Sequence, residues 1–248
     1  MRRVGGVISS EPVSAATLSP VFIWAPTARC GVTLLQRLIT SSREVLVFGE
    51  DTFLTNMLPM AIATYSGERK DSNEARKRLA SGDYRFWSSA AHPDTQLYVQ
   101  GLYQALSGVI SVYETSARAE GFKRWGVKEP NPNWDAVNFY ATVFPRSKHL
   151  FVYRHIEDVM RSYKSRGWLK TIDDVRNTAT QWAVNMENIL ANRSSPRACV
   201  IQYEELLSGR EKECQRIREY LEITAFDMSV FDTKVNTFAS VESPKSEY

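Results

Sequence analysis

The chain has 248 residues, of which 43% are hydrophobic and 24% are charged, a composition typical of a globular rather than a disordered protein. Its formal net charge of +3 is too small to indicate nucleic acid as a general partner, although it suits a pocket for a polyanionic small molecule. Three dispersed cysteines and three dispersed histidines favour neither a disulfide framework nor a metal cluster. No run approaches the length of about 20 apolar residues that spans a membrane, and no clear signal peptide is present, so we expect no membrane partner and a cytoplasmic location.

Apolar runs and helical periodicities alternate along the chain from residue 21 onwards. Residues 1–20 show no clear periodicity and are predicted to form a loose leader. Short apolar runs predict strands at 21–24, 45–48, 125–127, 149–153 and 199–203. Helical spacing predicts helices at 33–42, from 52 onwards, and at 94–118, 134–144, 156–165, 173–192, 204–207 and 212–221. The charge-rich stretch 68–83 is predicted to be a solvated excursion, and the tail from residue 226 to be irregular.

Alternating strands and helices predict an α/β fold. We expect a single domain over residues 21–248, with a mostly parallel central sheet flanked by helices, as in P-loop nucleotide-binding proteins. Ligands of such sheets bind at the carboxyl ends of the strands. Pro130 and Pro132 indicate that the third strand stops before them and that Lys128 already belongs to the following loop.

The first strand, turn and helix, within residues 21–38, have the local architecture of an anion site. Gly31 permits a positive φ or a close backbone approach, Arg29 supplies a fixed charge, and Thr33 places a hydroxyl in the first helical turn. The loop is not a Walker A sequence, because Val32 stands where that motif has its lysine. We therefore predict a phosphate or sulfate cradle, and an ordinary ATP-hydrolysing P-loop is disfavoured.

Charged and polar side chains follow each predicted strand, and a parallel sheet would bring them to one edge. They are Arg29, Gly31, Thr33, Glu50, Asp51, Lys128, Arg154, Tyr203 and Glu204. Three cations, several carboxylates and a phenol at one edge suit the transfer of an anionic group between two oxygens. The alternative for Arg154 is a purely structural ion pair with Glu157 or Asp158.

Four segments resemble motifs of the sulfotransferases that use 3′-phosphoadenosine 5′-phosphosulfate (PAPS). PTARCGVTLLQRL is similar to the family's 5′-phosphosulfate loop, and FVYRHIEDVMRSYKSR to its 3′-phosphate motif, in which an arginine and a serine eight residues later grip the 3′-phosphate. WGVKEPNP and VIQYEELL resemble two further strand-end segments. The four occur in family order and together span residues 21–207.

The resemblance implies roles for individual residues. The residues that match the contacts of the donor nucleotide are Arg29, Cys30, Gly31, Val32, Thr33, Arg154, Ser162 and Tyr203. Lys128 matches a lysine that assists the leaving phosphate in the tyrosylprotein branch. The segment GEDT resembles that branch's GEET, whose glutamate is the catalytic base. An ungapped count from Arg29 places the base on Glu50, which we prefer, and a motif alignment places it on Asp51.

Several positions depart from the family pattern. Cys30 and Val32 replace hydroxyl-bearing residues, so the backbone N–H groups and Thr33 are expected to contribute more to anion binding. Thr27 and Ala28 lengthen the loop between Pro26 and Arg29. No glycine-rich adenine-covering motif is evident near the C-terminus, where residues 238–245 are the candidate replacement.

The resemblance implies a PAPS-dependent sulfotransferase that transfers a sulfuryl group to a hydroxyl or amine of a small-molecule acceptor. PAP is the expected product, no metal is expected, and a carboxylate is the expected base, with His92 and His155 as other candidates. Acceptor contacts are expected from residues 52–95 and 165–175. The alternatives are a P-loop kinase of a small molecule, with Mg²⁺ on Thr33 and Asp51, and a catalytically inactive protein of the same fold. The oligomeric state is not predicted.

Overall fold

A parallel sheet organises the fold. The computed structural model describes residues 18–66, 70–87 and 91–233. In this part of the chain the sheet has five strands: β1 (Val21–Ala25), β2 (Val45–Phe48), β3 (Arg124–Pro130), β4 (Lys148–Tyr153) and β5 (Ala198–Gln202). Their order is β2-β3-β1-β4-β5, and every neighbouring pair is parallel. The predicted single α/β domain with a parallel sheet is confirmed.

Strand β1 is central because its side chains are apolar on both faces. All five residues are fully buried, as expected of an inner strand of a sheet covered on both sides. Ile23 faces one hydrophobic core and Trp24 the other, since successive side chains of a strand point to opposite faces.

Helices cover both faces of the sheet. They are α1 (Val32–Ser41), α2 (Leu58–Ser66), α3 (Lys70–Ala80), α4 (Thr95–Ala119), α5 (Trp134–Val143), α6 (Ile156–Ser165), α7 (Ile172–Asn192), α8 (Tyr203–Ser208) and α9 (Arg210–Leu221). A π-helix at Phe53–Met57 precedes α2, and a 3₁₀ helix at Met228–Phe231 follows α9. Helices α1, α6, α8 and α9 pack on the Ile23 face, whereas α2, α4, α5 and α7 pack on the Trp24 face.

The main correction to the predicted elements concerns Lys128. We expected it in a loop, but β3 continues through Lys128 to Pro130, which pairs with Ala25 of β1. The proline is tolerated because the pairing of β2 with β3 already ends at Phe48 and Val127, so Pro130 has no neighbour on that side that needs its N–H. Lys128 therefore projects from the sheet itself.

Smaller differences concern segments outside the sheet. The charge-rich stretch predicted to be a solvated excursion contains α3. Helix α7 begins with a capping box between Thr171 and Asp174. Most of the predicted leader and the candidate adenine segment 238–245 lie outside the described residues. No helix in the described ranges combines the length and apolar character needed to cross a membrane.

The close contact of β1, β2 and β3 at Gly126 yields a first prediction. A Cβ atom at this position would lie 2.5 Å from the carbonyl oxygen of Val21 and 3.1 Å from the Val21 Cβ. We expect Gly126→Ala to lower the free energy of unfolding by about 2 kcal/mol, because overpacking forces the strands apart. Urea denaturation measures the change.

Gly101 is the matched control, because a Cβ there meets nothing within 4 Å. Gly101→Ala, inside α4, should raise the free energy of unfolding by about 0.5–1 kcal/mol through helix propensity. Equal effects of the two substitutions would show that the strand contact at Gly126 is not tight.

Candidate functional site

Buried side chains hold the turn between β1 and α1 in place. Thr27 is buried, and its Oγ1 lies 3.6 Å from the Cys30 Sγ, so the lengthened part of the loop folds inward. The side chains of Cys30 and Val32 are also buried in the core. Only their backbone N–H groups are therefore placed to contact a ligand at this turn.

Two residues of this turn have a positive φ, Arg29 at 68° and Gly31 at 101°. A Cβ atom at position 31 would lie 2.3 Å from Cδ2 of Tyr203, so only glycine fits under this ring. Helix α1 starts directly after Gly31, without a side-chain cap and without an acidic residue in its first turn. Its positive end and its first N–H groups are therefore available to an anion.

Arginine side chains converge beside this helix end. The Nε of Arg29 donates a 2.9 Å hydrogen bond to the Oγ of Ser162 on α6. Burial, together with the positive charges of Arg166 and Arg154, lowers the pKa of Arg29. Guanidinium groups that repel one another in this way are typical of a site that binds a multiply charged anion.

Arg154 follows β4 and lies against the end of β5. Its guanidinium carbon is 4.9 Å from the ring centre of Tyr203, and its Nε is 4.0 Å from Oε1 of Glu204, too far for a hydrogen bond. This Nε is buried and has no hydrogen-bond partner among the described residues. Among the described residues the ion-pair partner of Arg154 is Glu204 and neither of the alternatives, Glu157 or Asp158; Asp158 pairs with Arg161 at 2.8 Å.

Lys128 and Glu50 form an ion pair at the ends of β2 and β3. The Nζ of Lys128 lies 2.7 Å from Oε1 of Glu50. The lysine side chain is only 10% exposed, whereas that of Glu50 is 52% exposed. The two side chains that the resemblance assigns to acid–base chemistry are thus in direct contact, and the carboxylate is the accessible member.

Asp51 is engaged in local structure. Its Oδ1 accepts a 3.1 Å hydrogen bond from the N–H of Leu54, and its Oδ2 accepts one from the hydroxyl of Tyr113. Burial and the neighbouring Asp51 carboxylate raise the pKa of Tyr113. Asp51 therefore starts the π-helix and fixes α4, and both of its carboxylate oxygens have a donor.

The structure adds Glu129, which our sequence analysis did not single out. This carboxylate is buried on the Trp24 face, and its Oε2 accepts a 2.8 Å hydrogen bond from the hydroxyl of Thr55. Burial raises the pKa of Glu129, and the charge of Glu50 acts in the same direction. The sequence signal for Glu129 was its position directly after Lys128. We missed this signal because we expected these residues to form a loop rather than a strand.

The histidines do not contact the Lys128–Glu50 pair. The backbone N–H of His155 donates to Oε1 of Glu204 at 3.1 Å, and its ring Nε2 lies 3.1 Å from Nε2 of Gln202. His155 therefore belongs to the surroundings of Arg154. His92 contacts α3, because its backbone N–H donates to the Oγ of Ser72 at 3.2 Å.

A family model described as "Sulfotransferase family" matches residues 20–227. The chain belongs to the sulfotransferase family. This confirms the resemblance of the four motifs, all of which lie inside the matched range. None of the curated proteins that were compared matches this sulfotransferase.

Solved structures agree with the fold of this sulfotransferase. The sulfotransferase domain of the olefin synthase from Synechococcus PCC 7002 is 16% identical, with a TM-score of 0.54, and the match covers 95% of this chain and 85% of that domain. The sulfotransferase domain from the curacin biosynthetic pathway is 18% identical, with a TM-score of 0.53 and coverages of 90% and 81%. At these identities the likeness demonstrates a shared fold.

The hydrogen bond between Thr55 and Glu129 yields a second prediction. Because burial raises the pKa of Glu129, this group's contribution to stability declines as the pH rises above about 4.3, the pKa of an unfolded glutamate. The Thr55 hydroxyl, which also lies 2.8 Å from the carbonyl oxygen of Asp51, opposes this decline when it donates its proton to the Glu129 carboxylate. We expect Thr55→Val to cost about 1–2 kcal/mol at pH 7 and less at pH 4.5, measured by urea denaturation.

Thr64→Val is the matched control for Thr55→Val. The hydroxyl of Thr64 is exposed and donates only to a carbonyl of its own helix, that of Met60. This variant should show no pH-dependent loss. A Thr55→Val cost that stays constant from pH 4.5 to pH 7 would contradict the assigned role of the hydrogen bond.

Proposed function

We propose that this sulfotransferase uses PAPS and transfers its sulfuryl group to a hydroxyl or amine of a small-molecule acceptor. The observation that carries the proposal is the convergence of Arg29, Arg154 and Ser162 beside the N-terminus of α1. These groups lie at the carboxyl edge of the sheet, where open α/β folds bind ligands.

The arginine side of the site fits a nucleotide that carries a 3′-phosphate. Arg154 holds a buried Nε without a hydrogen-bond partner among the described residues, which an incoming phosphate oxygen would satisfy. A phosphate would also offset the burial and the arginine–arginine repulsion that together lower the pKa of Arg29. Guanidinium–phosphate contacts are charge-assisted and often bidentate, so they select the 3′-phosphorylated nucleotide over ATP.

The helix side of the site fits the 5′-phosphosulfate. Gly31, Val32 and Thr33 would offer backbone N–H groups, and Thr33 a hydroxyl, to its oxygens. The Tyr203 ring lies over Gly31 and would limit the space beside the loop. When bound, PAPS supplies a sulfuryl group on an anionic leaving group, so fixed positive charge near the bridging oxygen would favour transfer.

We assign the general base to Glu50. It is the exposed carboxylate, and it contacts Lys128, which would hold it in place and provide positive charge for the leaving group. In the proposed transfer step the acceptor oxygen or nitrogen would form a bond to sulfur, and the sulfur–oxygen bond to the 5′-phosphate would break. The acceptor proton would pass to Glu50. Asp51 is the poorer candidate, because both of its oxygens already accept hydrogen bonds.

The nucleotide assignment yields a third prediction. Saturating PAP, at about 100 times its Kd, should raise the melting temperature by about 5–10 °C, and Mg-ATP should not. Arg154→Ala should weaken PAP binding about 10- to 100-fold, because a charge-assisted contact is lost. Differential scanning fluorimetry and calorimetric titration measure the two effects.

Arg161→Ala, on the helix that follows Arg154, is the matched control, because Arg161 is exposed and pairs with Asp158. This variant should bind PAP as the unmodified protein does. Stabilisation by Mg-ATP and not by PAP would overturn the proposal and favour a small-molecule kinase.

The base assignment yields a fourth prediction. Glu50→Gln should lower kcat for sulfate transfer from labelled PAPS by about 10²- to 10⁴-fold while PAP still raises the melting temperature. The control Glu74→Gln, on the exposed surface of α3, should leave kcat unchanged. Loss of transfer in Asp51→Asn together with full activity of Glu50→Gln would move the base to Asp51. Metal independence is a further expectation, tested by unchanged transfer in EDTA.

A further inference from the structure

An amide-lined cleft opens at the carboxyl edge of the sheet. It has a volume of about 750 Å³, within the range of small-molecule sites, and lies between the π-helix with α2, the turn after β3, and α7. Six of its lining residues carry a side-chain amide: Asn56, Asn131, Asn133, Asn177, Gln181 and Asn185. Among the described residues that line it, none is charged or aromatic.

The inner end of the cleft is built by hydrogen bonds. Asn185 is buried, and its Nδ2 donates to the carbonyl of Pro26 at 2.8 Å and to Oδ1 of Asn131 at 3.0 Å. Its Oδ1 accepts from Nε1 of Trp134 at 3.0 Å. All hydrogen-bonding atoms of the Asn185 amide are thus engaged, so this end is rigid.

The α7 wall of the cleft, unlike the hydrogen-bonded end at Asn185, consists of exposed side chains. Asn177, Thr180 and Gln181 follow one another at helical spacing, and their side chains are exposed. No hydrogen bond joins these side chains to another described residue. Met60 and Val184 each add a half-exposed apolar surface to the same cleft. The wall therefore combines unused donors and acceptors with small apolar patches.

Residues that line the cleft are connected by hydrogen bonds, or through their chain neighbours, to both halves of the proposed active site. Asn56 follows Thr55, which bonds Glu129, the neighbour of Lys128. Asn185 bonds Pro26 at the start of the loop that carries Arg29, and Trp182, on the same helix, donates to the carbonyl of Arg154 at 3.2 Å. Hydrogen bonds thus link the lining of the cleft to the strand that carries Lys128 and to the loop that carries Arg29.

We infer that this cleft is the acceptor site and that it takes an uncharged, hydroxyl-rich molecule, such as a sugar or polyol. Amide groups donate and accept at once, which matches hydroxyl groups that do the same. A charged acceptor would need an ion of opposite sign in the lining, and a flat phenol would gain little without an aromatic partner. The role as acceptor rests on the proposed sulfotransferase function, whereas the binding preference stands on the cleft itself.

Ligand binding tests the preference independently of catalysis. The probes are methyl glucoside, myo-inositol and 4-nitrophenol, titrated by saturation-transfer NMR into the protein with and without PAP. We expect binding of the two polyhydroxyl probes and not of 4-nitrophenol. In the double variant Asn177→Leu/Gln181→Leu, affinity for the polyhydroxyl probes should fall about 10-fold, because two exposed amides lose their hydrogen bonds.

Two controls separate this inference from the proposed function. Gln215→Leu changes an exposed amide on α9, on the opposite face of the sheet, and should leave probe binding unchanged. PAP stabilisation should be the same in the double variant, which also verifies its folding. The inference would be overturned if only 4-nitrophenol bound or if no probe bound. It would also be overturned if the double substitution left the affinity for the polyhydroxyl probes unchanged. Failure of PAP to bind would instead overturn the proposed function.

With an acceptor that binds, transfer from labelled PAPS completes the test. The double variant should raise KM for that acceptor about 10-fold while KM for PAPS stays constant, because the altered amides lie outside the arginine cluster. A change confined to KM for PAPS would contradict the assignment of the cleft to the acceptor.

Discussion

The parallel pairing of β1 with both β3 and β4 is the constraint on which the site depends. The register places Trp24 opposite Glu129 on one side and opposite Phe151 on the other. The chain segments that follow β1, β3 and β4 must therefore all start at the carboxyl edge of the sheet, at nearly the same height. Because of this, the loop after β1 can bond to α6 through Arg29 and Ser162, residues that are distant in sequence.

Charge is distributed unevenly along this edge. Guanidinium groups gather beside α1, where burial and the neighbouring arginines lower the pKa of Arg29, and carboxylates gather around β2 and β3, where burial raises the pKa of Glu129. The Lys128–Glu50 pair lies on the carboxylate side. In the proposed reaction the arginines bind the donor nucleotide, whereas Lys128 both contacts the base and provides positive charge for the leaving group.

Several polar groups at the site also hold the fold together, and this limits what each can do in catalysis. Asp51 starts the π-helix and receives the hydroxyl of Tyr113, and Glu129 receives that of Thr55. A carboxylate that already accepts hydrogen bonds on both oxygens is a weaker proton acceptor than one that faces solvent. The physical distinction between neighbouring carboxylates is thus their hydrogen bonding rather than their residue type.

Local sequence determined most of the strands and helices, and the family. Strand β2 and helix α6 have the predicted limits, because apolar periodicity and charged helix ends are properties of adjacent residues. The four motifs likewise placed the chain among the sulfotransferases. Only the tertiary structure decided that Lys128 lies within β3, that Glu129 is buried, and that the amides of α7 line a cleft. These features depend on contacts between residues far apart in sequence, such as Lys128 with Glu50 and Thr55 with Glu129, which no local pattern encodes.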